Sequence, residues 1–147
     1  MDKTLFKEIF AGLIGKPPSP LTLGHGSFLT HDIGPLSKEG RGEWCLWLRI
    51  CHWRIESLQE MAVGSDDQRK DIESTLKALN PVVIRSIEVL YPSLDLIIVY
   101  TSGWVIRTFS AASNQEDQWT VYTSEGMALT AHGGGLYDFE PCDLDDD

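Results

Sequence analysis

Trp44-Cys-Leu-Trp-Leu-Arg-Ile-Cys-His-Trp-Arg-Ile-Glu56 holds three tryptophans and four aliphatic residues in thirteen positions, with no glycine or proline. Even positions carry Trp44, Leu46, Leu48 and Ile50; odd positions carry Cys45, Trp47, Cys51 and Trp53. Side chains alternate across a strand, so the segment is apolar on both faces and predicts one strand in the middle of a sheet covered on both sides. At least one of Trp47 and Trp53 is then expected to be fully buried. Arg49 and Arg54 interrupt the pattern. A buried guanidinium needs a carboxylate, and Asp95 or Glu88 on later strands are the natural partners.

Helical periodicity brackets this stretch. Over residues 2–14, Leu5, Phe6, Ile9, Phe10, Leu13 and Ile14 recur at three- and four-residue spacing, until Gly15 and Pro17-Pro18 end the helix. Ser65-Asp-Asp-Gln68 matches a capping box opening a second helix with Ile72, Leu76 and Leu79 as its apolar stripe, closed by Asn80-Pro81. Between the first helix and the tryptophans, residues 16–43 read as two loops around one strand at 27–32. After Pro81 the period changes from 3.6 to 2. Residues 82–89, 94–100, 104–109, 119–123 and 127–131 read as short strands joined by turns tight enough for antiparallel pairing, with a longer polar loop at 114–118. The expected fold is α+β: one antiparallel sheet of about six or seven strands with two helices packed on it. Residues 1–137 form a single domain, and Gly133-Gly-Gly135 hinges into an acidic tail at 138–147.

The formal net charge is −10 and is unevenly spread. Residues 1–60 balance seven bases against seven acids, whereas the last ten residues hold six carboxylates and no base. Such a field repels nucleic acid and anionic membrane and attracts basic protein partners. No apolar run reaches the length of a membrane span, and the charged amino terminus is unlike a signal peptide, so a cytoplasmic protein is expected. Three cysteines at unrelated spacings read as buried free thiols.

No motif for catalysis, a metal or a cofactor emerges. His25, His31 and His52 lack metal-ligand spacing, and Gly24-His-Gly-Ser27 has no following lysine or helix and reads as a turn. The carboxylate pairs at Asp66-Asp67 and Glu116-Asp117 sit in solvated contexts. Tryptophans interleaved with Arg49 and Arg54 could stack nucleobases, but a stacking platform would work against the protein's own field.

In Gly26-Ser-Phe-Leu-Thr30, Asp32-Ile-Gly34, Trp44-x-Leu-Trp47 and Cys51-x-Trp-Arg-Ile55 the chain resembles a group of small bacterial proteins. Some of these are encoded beside polymorphic or contact-dependent toxins and are taken as their immunity proteins. The likeness extends through residues 79–130 and omits the first helix and the tail. It implies a non-enzymatic inhibitor, monomeric or weakly dimeric, that binds a basic toxin domain without cofactors. The acidic second half would steer association, and exposed aromatics would anchor it. The expected partner-binding residues are Trp104, Glu116, Asp117, Tyr122, Glu125, Tyr137, Asp138, Glu140, Asp143 and Asp145. The alternative is an acidic secretion chaperone or adaptor that dimerises and binds an extended effector segment.

Overall fold

The tryptophan-rich stretch does not form one strand. In a computed structural model, which describes residues 3–142, it splits into β3 (Gly42–Leu48) and β4 (His52–Glu56), which belong to different sheets. Leu46 and Leu48 are buried at even positions, whereas Trp53 and Ile55 are buried at odd ones. A straight strand cannot change parity while facing one core. The change happens at residues 49–51, where the chain turns a corner and leaves Ile50 exposed. Apolar residues on both faces thus record a crossing between sheets.

The single sheet expected from the sequence is two antiparallel sheets. The first has six strands in the order β1 (Leu21–Leu23), β2 (Leu29–Leu36), β3, β9 (Asp117–Tyr122), β10 (Met127–His132) and β11 (Leu136–Pro141). The second runs β5 (Met61–Gly64), β4, β8 (Val105–Phe109), β7 (Asp95–Tyr100), β6 (Ile84–Leu90). Their inner faces share one core, in which Leu29, Leu48, Val121 and Leu129 of the first sheet join Ile55, Leu96, Ile98 and Ile106 of the second. Two indoles tie the layers together: Trp119 Nε1 donates to Leu94 O and Trp53 Nε1 to Ser27 O, each at 2.8 Å. A buried indole N–H needs such a partner.

Helix α1 (Lys3–Ala11) buries Phe6 and Phe10, whose rings lie 6.2 and 5.4 Å from that of Trp119. Beyond its end Gly12 lies under Trp44, and a Cβ there would come within 2.3 Å of the indole. Gly12→Ala is therefore expected to cost about 1–3 kcal/mol by overpacking, measurable by urea titration. The capping box at Ser65 does not form. Ser65 Oγ accepts the Trp53 N–H and Asp67 Oδ2 the Gly64 N–H, so α2 (Arg69–Leu79) starts later with Gln68 as a cap that makes no side-chain bond. Asn80 ends α2 as expected, and its side-chain amide bonds both the N–H and the C=O of Leu21, holding β1 in place.

The triple glycine is a turn between paired strands. Gly134 and Gly135 take positive φ (84° and 77°), and β11 runs antiparallel to β10 from His132↔Leu136 to Met127↔Pro141. Residues 138–141, expected in the tail, are thus part of the sheet: their alternating pattern prevailed over their charge. Asp143 and Asp145 lie outside the described residues. Among the described residues, no helix is long and apolar enough to cross a membrane.

Candidate functional site

Strand register lays out the outer face of the six-stranded sheet. One row crosses it as Thr30, Trp47, Thr120, Thr130 and Asp138, and the next as Asp32, Cys45, Tyr122, Ala128 and Glu140. Glu43 has the parity of Cys45 and Trp47 and is exposed. The centre of the face is aromatic. The rings of Trp47 and Tyr122 meet nearly at right angles, 6.3 Å apart. Arg49 lies with its guanidinium 4.6 Å from the centre of the Trp47 ring and donates from Nη2 to Tyr122 Oη at 2.6 Å. This is the environment expected of a cation held by a π face. The carboxylate partner expected for Arg49 is replaced by a ring and a hydroxyl.

The same face carries several carboxylates. Asp32 accepts the Gly42 N–H, while Asp138 and Glu140 are exposed along β11. Asp117, at the start of β9, and Asp138 approach His132 from opposite sides, at 2.9 Å from Nδ1 and 2.6 Å from Nε2. The Nδ1 contact lacks hydrogen-bond alignment and is a proximity only. Arg49 is half-buried beside its aromatic neighbours, whereas Glu43, Asp138 and Glu140 are exposed.

Burial pushes the Cys45 and Cys51 thiols up to about 12, the direction opposite to that of an activated thiolate. Among the described residues, no group of three or more His, Cys, Asp or Glu side chains is placed to hold a metal ion. The Gly24–Gly26 carbonyls, in the loop that resembles a phosphate cradle in composition, are occupied by a cation from the protein itself: Arg69 Nη1 donates to Gly24 O and Gly26 O. The outer face of the second sheet is mixed. Arg54 and Arg107 stand opposite each other in register and share Glu56, whose pKa they hold below the usual carboxylate range, the Arg54 bond contributing most. Arg54 therefore pairs within its own strand, while Asp95 caps the Ser110 N–H instead of meeting a guanidinium.

Of the residues expected to bind a partner, Asp117, Tyr122, Asp138 and Glu140 come together on the outer face of the six-stranded sheet. Glu116 is exposed just before β9, and Glu125 is exposed in the β9–β10 turn. Tyr137 faces inward, its ring 4.9 Å from Phe6, and Trp104 is partly buried against the core beside β8, away from this face. Of Trp47 and Trp53, at least one of which was expected to be fully buried, Trp53 is buried and Trp47 is not; the sequence reading did not join Trp47, Arg49, Asp32 and Glu43 into one face. The signal was there: Trp47 and Arg49 have the parity opposite to Leu46 and Leu48, so both point away from the core. Comparison with protein-family models, with curated protein sequences and with solved structures returns no match for this chain.

Proposed function

We propose that this protein is a non-enzymatic inhibitor that binds a basic protein domain, of the toxin–immunity kind, through the outer face of its six-stranded sheet. The observation that carries the reading is the Trp47–Arg49–Tyr122 cluster set among Asp32, Glu43, Asp117, Asp138 and Glu140. Tight interfaces concentrate their energy in central aromatic and arginine side chains, surrounded by groups that exclude water and match charge. Rim carboxylates accelerate encounter with a cationic partner and slow it with an anionic one. The same field disfavours nucleic acid as a ligand, although Trp47 and Arg49 are accessible enough to stack a base.

The test is co-expression with the carboxy-terminal domain of the protein encoded directly upstream of this chain. That domain is expected to stop growth alone, and the wild-type chain to restore it. The double variant Trp47→Ala/Tyr122→Ala is expected to lose rescue and to weaken binding at least about 100-fold by calorimetry. An upstream domain without toxicity, or rescue untouched by the double variant, overturns the reading. A stable dimer that binds only an unfolded segment would replace it with the chaperone alternative.

A further inference from the structure

β11 closes one side of the six-stranded sheet and, among the described residues, has β10 as its only strand neighbour. Cys142 donates its N–H to Gly126 O at 2.7 Å, which fixes the direction of the backbone groups along the strand. With the alternation of an antiparallel ladder, Leu136, Asp138 and Glu140 turn their N–H and C=O groups to β10. Tyr137 and Phe139 turn theirs to the open side, and Pro141 contributes a carbonyl only. Unpaired edge groups of this kind are a template for another strand.

The other edges are unlike it. β1 has three residues, and the Leu21 backbone is taken by Asn80. β5 has only four. β6 is interrupted by a bulge between Ile84 and Ser86, gives its Ile84 carbonyl to the Gly15 N–H, and carries both Arg85 and Glu88. Among the described edge strands, β11 alone combines a six-residue length with charge of one sign: Asp138 and Glu140 are exposed and no base lies on the strand. Phe139 on the other face is 37% exposed. A second copy of this chain is a poor occupant, since paired β11 strands would oppose acid to acid.

We propose that β11 takes an extended segment of the basic partner as a seventh strand. Alternate lysine or arginine side chains of that segment lie beside Asp138 and Glu140 on the acidic face, and the intervening apolar ones pack on Phe139. Main-chain bonds to Tyr137 and Phe139 supply affinity, and the alternation supplies selectivity. The inference rests on the basic-partner reading and names how that partner docks.

A nine-residue peptide alternating lysine and valine is the probe, with amide exchange and chemical shifts of the intact protein as the readout. Binding is expected to slow exchange of the Tyr137 and Phe139 amides at least about tenfold, because both become strand-bonded. N-methylation of one alternate set of peptide amides is expected to weaken binding at least about tenfold: the valine set if the strand adds antiparallel, the lysine set if parallel. Phe139→Pro removes an outward N–H and the ring on which the segment packs but no bond to β10, so it is expected to keep the native circular dichroism and lose the peptide. Equal binding of both N-methylated peptides, or binding that leaves both amides exchanging at their free rates, overturns strand addition while leaving the acidic face as the interface. No binding at all overturns it as well, whereas failure of the partner reading itself is seen separately, in the growth rescue.

Discussion

Trp53→Ala and Trp119→Ala are each expected to destabilise the protein by about 3–5 kcal/mol, from lost transfer energy and the cavity left behind. Trp47→Ala is expected to cost only about 1–2 kcal/mol, the worth of one aromatic pair and one cation–π contact at a half-exposed site. Trp53 and Trp119 are 3% and 1% exposed, and each indole N–H bonds a carbonyl of the other layer or its connecting loop. Truncation therefore opens a void and also leaves Ser27 O or Leu94 O without its donor. Trp47 has no such role, since its neighbours Arg49 and Tyr122 stand on the solvent side of the sheet. Urea titration of the three variants checks the order. Equal losses at positions 47 and 53 would place Trp47 in the core and remove the anchor from the proposed interface. The small cost at position 47 also allows its effect on binding to be read separately from folding.

The local order of the chain was legible wherever short-range physics decides it. The α1 stripe at Phe6 and Phe10, the stop at Asn80-Pro81 and the hairpin strands after Pro81 appear within a few residues of their expected bounds. What escaped depends on contacts distant in sequence. The change of parity between Leu48 and Trp53 is visible in the residues, but only the pairing of β3 with β9 and of β4 with β8 shows that it marks two sheets. Ser65 has the chemistry of a helix cap, yet the Trp53 amide competes for its oxygen. In residues 136–141 charge and period gave opposite advice, and backbone pairing with β10 decided the outcome. The acidic face draws on β2, β3, β9, β10 and β11, so no single window of sequence contains it. Charge imbalance announced its sign; register alone gave its position.

Stability is expected to fall by about 3 kcal/mol as the pH drops from 7 to 4, through one side chain, His31. His31 lies on the inner face of β2 between Leu21 and Leu46, is 1% exposed, and contacts Ser19 O through Nε2 at 3.3 Å. Burial lowers its pKa to about 4; the Ser19 bond and the nearby Asp32 oppose the shift without cancelling it. The folded value lies below the unfolded one of about 6.5, so between them the unfolded chain binds more protons and stability rises with pH. The contribution is complete above about pH 6.5 and is lost as the pH falls toward 4, each unit being worth about 1.4 kcal/mol. Glu56 has a lowered pKa and loses its contribution at still lower pH, so a wild-type curve alone mixes the two. His31→Gln retains an N–H for Ser19 O and cannot titrate, and it should be less stable at pH 7 but markedly flatter below 6.5. Urea titrations of both proteins at pH 7, 5.5 and 4 isolate the difference. Parallel curves would mean that the folded imidazole accepts its proton without penalty, which requires water to reach it between the sheets. A flatter variant would tie the acid limit of the fold to the underside of the same strand that presents Thr30 and Asp32 on the proposed binding face, so that acid would weaken the scaffold beneath the interface.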